Sequence, residues 1–180
     1  MRRFVLCAAL LALSVFSHAQ DDSRFSTDGA SITWQNVFQT QLDSADVVDT
    51  LLGSGRFDNV ILTKDGFTCR IIPHEVDYRG AGMKRGLVAM YLLGGEMEGR
   101  AIVQIRDGRY RVTVDGIVFT TILETPLSKT GERSKLEIYA LNGSGQFRSN
   151  FWNKGSAPVL DYDLFSLFEI REPADQEDDW

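Results

Sequence analysis

Cysteine and histidine are scarce in this chain of 180 residues, which has two of each. Cys7 and His18 fall within the first 19 residues, so Cys69 and His74 are the copies that a processed protein would keep. One cysteine excludes an intramolecular disulfide, and one cysteine with one histidine would leave a zinc site dependent on carboxylates. The sequence therefore predicts no metal site, no cofactor and a core held together by burial alone.

A long hydrophobic segment is also lacking. The longest apolar run, at residues 4–16, has 13 residues, whereas a bilayer-spanning helix needs ~20. Arg2 and Arg3 precede the run, and Ser-His-Ala at 17–19 supplies the small residues that a signal peptidase accepts. This pattern predicts a signal peptide over residues 1–19 and an exported protein, periplasmic or extracellular, that does not span the membrane. The arginine pair leaves a twin-arginine export route open as a variant.

Basic residues are fewer than acidic residues in this chain. The chain has 19 Lys and Arg residues against 25 Asp and Glu residues, a net charge of −6. Loss of Arg2 and Arg3 with the signal peptide leaves 17 against 25, a net charge of −8. Sequence-independent nucleic-acid binding depends on cations that neutralise phosphates, so nucleic acid is not predicted as a partner.

Motifs of common enzymes are absent as well. No G-x-S-x-G nucleophile motif occurs, and the glycine-rich stretch at residues 78–86 lacks the G-x-x-x-x-G-K-[ST] spacing of a phosphate loop. Carboxylates are plentiful, so a secreted hydrolase that uses paired acids stays open as the alternative. Such an enzyme would need a concave site holding Glu75, Asp77 and at least two further acids. The main prediction is that the chain is not an enzyme.

Two Asp-Gly pairs punctuate the chain, Asp65-Gly66 and Asp107-Gly108. Asp-Gly between β-rich segments is typical of a two-residue hairpin turn, because that turn needs positive φ at both positions. The pairs predict β-hairpins over residues 60–71 and 100–115.

Apolar spacing predicts the other elements. Strands are predicted at residues 31–40, 87–93 and 117–123, a helix from Asp43 to Gly53, and a short strand or helix at 136–141. A second helix places four apolar residues on one face: Leu160, Leu164, Phe165 and Phe168.

This order of elements predicts one α+β domain over residues 31–171, in which an antiparallel sheet of Asp-Gly hairpins carries two helices on one face. Residues 20–30 are predicted to form a flexible lead-in. The acidic tail at residues 172–180 is predicted to be disordered.

The second hairpin has two contrasting faces, because a turn at Asp107-Gly108 pairs Arg106 with Arg109 and alternate residues point to opposite sides. The apolar face is predicted to be core and comprises Ala101, Val103, Ile105, Tyr110, Val112 and Val114. The polar face comprises Arg100, Ile102, Gln104, Arg106, Arg109, Arg111, Thr113 and Asp115.

The same turn geometry in the first hairpin pairs Leu62 with Cys69 and Val60 with Ile71. Cys69 then lies among apolar side chains, where burial raises the pKa of a thiol and makes it inert. We therefore expect a core cysteine rather than a nucleophile.

Two motifs resemble those of a known family: Thr-Trp-x-x-Val-Phe at residues 33–38 and Arg-Asp-Gly-Arg-Tyr-Arg-Val at residues 106–112, in which Arg106 stands where the family has lysine. Over roughly residues 31–123 the chain resembles small exported bacterial proteins with a domain of unknown function and a TATA-box-binding-protein-like (TBP-like) fold, in which the turn reads Lys-Asp-Gly-Arg-Tyr-Arg. The resemblance implies an α+β sheet with helices on one face. It implies no activity, and a shared fold does not imply DNA binding.

These observations favour an exported, non-enzymatic binding or accessory module of the bacterial cell envelope. The candidate binding residues are Arg106, Arg109 and Arg111 of the polar face, joined by Lys84 and Arg85 if the loop at 78–86 folds over them. Guanidinium groups suit carboxylates and phosphates, so the partner classes are an anionic glycan, a lipid headgroup or an envelope protein. The other interpretation is a solvated face on which neighbouring carboxylates neutralise the arginines.

Export has a direct test. The cleavage pattern at residues 17–19 predicts a mature N-terminus at Gln20, which intact-mass measurement of the protein from its native host would detect. A retained Met1, or a lipid on Cys7, would contradict the prediction.

Overall fold

The computed structural model describes residues 23–124, 129–153 and 155–171. Within these residues the chain forms seven strands, five α-helices and one short 3-10 helix at Arg85–Leu87. The strands are β1 Phe25–Thr27, β2 Ile32–Gln39, β3 Phe57–Thr63, β4 Gly66–Glu75, β5 Gly95–Arg106, β6 Arg109–Thr121 and β7 Arg133–Lys135. The helices are α1 Ser44–Gly53, α2 Met90–Leu93, α3 Leu136–Ala140, α4 Ser149–Asn153 and α5 Ser156–Phe168. No helix in these ranges is long and apolar enough to cross a membrane.

The strands form one antiparallel sheet in the order β1-β2-β6-β5-β4-β3, and β7 pairs with the far end of β6. The long β5–β6 hairpin is its centre. Its predicted register is confirmed, with Arg106 opposite Arg109, Val103 opposite Val112 and Arg100 opposite Asp115. The two predicted faces are confirmed too, since the apolar set is buried and the arginines of the polar set are exposed.

The first hairpin departs from its predicted register. Thr63 pairs with Gly66 and Leu62 with Phe67, so the turn residues are Lys64 and Asp65. Gly66 has a φ of 144° and lies so close to the Val103 carbonyl that a side chain there would overlap it. Position 66 is therefore a strand residue that only glycine fits.

A second irregularity follows along β3. The register shifts between Asp58 and Ile61, where Asn59 takes a φ of 50°. Val60 lies within this shift and Leu62 pairs with Phe67, so both are exposed instead of packed beside Cys69, which corrects that part of the prediction.

The helices cover one face of the sheet, as the α+β prediction requires. Helix α1 begins where the Asp43 carboxylate caps it, accepting hydrogen bonds from the amides of Ala45 and Asp46. Helix α5 is fixed to β2 by Asp161, which accepts a hydrogen bond of 2.8 Å from Trp34 Nε1. The two predicted helices are α1 and α5, and three shorter ones accompany them in the described residues.

Two segments have a different structure from the one predicted. Residues 87–93, predicted to be a strand, contain the end of the 3-10 helix and α2 instead. Residues 20–30, predicted to be a flexible lead-in, contain β1, in which Phe25 is buried and its ring lies edge-on to Phe151 at 5.5 Å. Ala89, at the N-cap position of α2, forms no side-chain cap, so no capping residue marks this helix in the sequence. The predicted signal peptide and acidic tail lie outside the described residues.

Cys69 is buried on the core face of β4, as predicted, opposite Ala101. Burial, and to a lesser extent the charge of Asp58, raises the pKa of the thiol to about 12. The thiol is therefore protonated and shielded at neutral pH.

Labelling of Cys69 tests this placement. We expect slow thiol modification of the native protein and fast modification after unfolding, because the sulfur is shielded. Replacement of Cys69 by Ser is expected to reduce the free energy of unfolding by about 1–3 kcal/mol, since the hydroxyl would lack a hydrogen-bond partner in the core. Fast labelling of the folded protein would contradict the assignment.

Candidate functional site

Three arginines surround a shallow cavity on the open face of the sheet, opposite the helices. Arg106 ends β5, and Arg109 and Arg111 lie across the turn on β6. The cavity has a volume of about 230 Å³ and is completed by Gln104 and by Val37 of β2. We call Arg106, Arg109 and Arg111 the arginine triad.

No carboxylate neutralises this triad within the part of the chain that the structure describes. Arg111 donates from Nε and Nη2 to the neutral Oε1 of Gln104, at 3.1 and 2.6 Å. Arg106 and Arg109 form no ion pair with any carboxylate of residues 23–124, 129–153 or 155–171. Like charges placed directly opposite each other destabilise a sheet, so the Arg106–Arg109 pair is unfavourable unless an anion binds.

The other arginines of the open face are paired, which makes the triad exceptional. Arg100 forms a bidentate pair with Asp115, with N–O distances of 2.9 and 2.6 Å. Arg70 forms a similar pair with Asp58, and this hydrogen bonding lowers the pKa of the Asp58 carboxyl.

Glu98 forms ion pairs with two arginines of the open face, Arg70 and Arg133. Its buried carboxylate lies 3.7 Å from Arg70 and in contact with Arg133 of β7. This ion-pair cluster was not foreseen from the sequence, because Glu98 and Arg133 are 35 residues apart and meet only through sheet pairing.

Lys84 and Arg85 do not join the triad. Their loop lies against α5, since an added side chain at Gly80 would overlap Tyr162 and one at Gly155 would overlap Met83. The loop therefore lies on the helical side of the sheet. Neither Lys84 nor Arg85 lines the cavity that the triad surrounds.

A second cavity, of about 370 Å³, lies beside α5 and contains His74. His74 Nε2 is 2.9 Å from Asp163 Oδ2, and His74 Nδ1 is 3.1 Å from the carbonyl oxygen of Ile72. The other oxygen of Asp163 accepts a hydrogen bond of 2.8 Å from the Asp77 amide. Because a carboxylate and a carbonyl only accept, the protonated ring satisfies both contacts by donating from Nδ1 and Nε2.

This cavity does not meet the condition set for a hydrolase. Glu75 and Asp77 line it, but Asp163 is the one further acid among its lining residues, instead of two or more. Asp163 is also occupied by His74 and the Asp77 amide. No group of three or more His, Cys, Asp and Glu residues in the described ranges is arranged to hold a metal ion.

The pair of His74 and Asp163 instead joins the edge of the sheet to α5. Burial favours the neutral ring and lowers the pKa of His74, but the hydrogen bond and charge of Asp163 outweigh burial, so the pKa is raised overall. The pair was not foreseen, because its members are 89 residues apart.

Stability is expected to depend on pH through His74. A raised pKa in the folded state means that the added stability is complete below the ordinary histidine pKa of about 6.5 and is lost as pH rises through the higher folded value. Thermal unfolding between pH 5 and 9 should show this decline in the native protein. His74→Gln, which cannot ionise, should abolish it, and an equal decline in that variant would contradict the account.

Comparison with known proteins gives two similar solved structures, while no protein-family model and no curated protein matches the chain. One is a TBP-like protein from Parabacteroides distasonis, with 12% identity and a TM-score of 0.47, over 82% of this chain and 97% of that one. The other is a DUF4468 family protein from Bacteroides ovatus, with 14% identity and a TM-score of 0.42, over 83% of this chain and 92% of that one. These names agree with the resemblance inferred from the hairpin motif, a domain of unknown function with a TBP-like fold.

Proposed function

We propose that this chain is an exported, non-enzymatic binding module that holds an anionic group of its partner in the arginine triad. One observation carries the proposal: of the arginines on the open sheet face, the triad alone has no carboxylate partner among the described residues. The positive charge of the triad is not neutralised, whereas the neighbouring arginines of the same face are neutralised by carboxylates. An anion supplied by a partner would neutralise the triad.

The chemistry of the triad supports a carboxylate or a phosphate. Planar guanidinium groups donate parallel hydrogen bonds to both, and such charge-assisted bonds are about twice as strong as neutral ones. Arg111 is already oriented by Gln104, so less side-chain freedom is lost when an anion binds.

The size of the cavity supports a binding module rather than an enzyme. Its volume of about 230 Å³ is below the ~300–1,000 Å³ of pockets that enclose a small molecule. The triad is also exposed to solvent. Such a site suits one anionic group on a larger partner, whose remainder stays outside the cavity.

Export rests on the sequence of residues 1–19, with its two arginines, apolar run and small residues at the cleavage position. An exported module of this kind would meet its partner in the bacterial cell envelope.

Replacement of the triad tests the proposal. We expect R106Q/R109Q/R111Q to weaken binding of a fluorescein-labelled hexaglutamate peptide at least tenfold at low salt, because each lost charge-assisted bond contributes about 1.5–3 kcal/mol. Inorganic phosphate should compete with the peptide. Thermal stability should stay the same or rise, since the repulsion between Arg106 and Arg109 is removed.

Arg100→Gln is the matched control. It removes an arginine from the same face, but one that is already paired with Asp115, so peptide binding should be unchanged. Equal loss of binding in the control and in the triad variant would mean that only the general charge of the face matters. Unchanged binding in the triad variant would overturn the proposal.

A further inference from the structure

Helix α5 brings the last described residues of the chain to the arginine hairpin. Asp161 contacts Trp34, and one turn later the ring of Phe165 lies 5.0 Å from that of Phe38. From Trp34 to Phe38, β2 runs toward Thr40, whose amide donates to the carbonyl of Gly108 in the hairpin turn. The helix therefore runs toward the turn that carries the triad.

Tyr110 binds the residues at the end of α5 to the hairpin through two hydrogen bonds. Its hydroxyl donates to the carbonyl of Phe168 at 2.7 Å and accepts from the amide of Ile170 at 3.3 Å. Tyr110 is the residue between Arg109 and Arg111, and its side chain lies on the opposite face of the same strand. The chain thus leaves the described domain directly behind the triad.

The residues that follow are strongly acidic. Residues 172–180 contain Glu172, Asp175, Glu177, Asp178 and Asp179 and no basic residue. Of the net charge of −8 that remains after loss of the signal peptide, these five acids contribute −5, and the 17 basic and 20 acidic residues of 20–171 contribute −3. The tail therefore holds more than half of the net negative charge of the exported protein.

The tail is long enough to reach the triad. Nine residues span at most roughly 30 Å. The path from Tyr110 to the triad has two parts. The Asp107-Gly108 turn is two residues from Tyr110, about 7 Å along the strand. Crossing from the helical face to the open face at the turn adds about 10 Å, the thickness of one sheet layer.

We infer that residues 172–180 are the intramolecular occupant of the arginine triad, bound through their carboxylates. The inference rests on the proposed anion site and gives it a regulator: an external anion has to displace the tail. A segment tethered this closely acts at an effective concentration in the millimolar range, so it competes with an external ligand of similar chemistry.

Paramagnetic labelling locates the tail directly. Ala174→Cys in the mature chain, which begins at Gln20 and so lacks Cys7, provides a reactive thiol, whereas the buried Cys69 is protected. A nitroxide at position 174 should broaden the amide signals of residues 106–111 at low salt. The matched control has the same tether and label with R106Q/R109Q/R111Q, and its broadening should be clearly weaker. Equal broadening in both proteins would overturn the inference.

Competition provides the second measurement. A full-length variant with E172Q, D175N, E177Q, D178N and D179N should bind labelled hexaglutamate about tenfold more tightly than the native chain. The variant E75Q/E96Q/E124Q, which changes acids outside the tail, should bind like the native chain. Equal affinity of native and tail-neutral proteins would overturn the tail as occupant while the anion site stands. If neither protein binds the peptide, the proposed function fails, and the labelling experiment still decides where the tail lies.

Discussion

The register of the β5–β6 hairpin is the constraint on which the rest of the molecule depends. The turn at Asp107-Gly108 pairs Arg106 with Arg109, and from there strict alternation sorts every side chain to one face or the other. A shift by one residue would bury the arginines and expose the core. The buried apolar face therefore holds the arginines in place, and the repulsion between them is tolerated because the core cannot be formed otherwise.

The same hairpin connects the two sides of the sheet. Tyr110 lies between two arginines of the open face, yet its hydroxyl holds the end of α5 on the helical face. On the β4 side of the sheet, the pair of His74 and Asp163 attaches the bulged part of β4 to α5. Packing of α5 thus brings the last described residues to the strand end where uncompensated positive charge is concentrated.

Features that depend on neighbouring residues could be predicted from the sequence. The second hairpin, its two faces and the arginine triad follow from one turn and alternation, and the caps and apolar spacing of α1 mark that helix. The register of the first hairpin could not be predicted, because Gly66 belongs to a strand and Asn59 adopts a positive φ within a bulge. The pair of His74 and Asp163 is brought together only by tertiary packing, and neither residue has a local pattern that indicates the other.

The central claim is that the triad binds an anion while the paired arginines of the same face do not. NMR titration of the arginine side-chain Nε–H signals with hexaglutamate, in the full chain with its tail acids neutralised, tests this claim most directly. We expect the signals of Arg106, Arg109 and Arg111 to shift together and to saturate, while those of Arg70, Arg100 and Arg133 stay in place. Equal small shifts of all six, or no shift in the triad, would contradict the account.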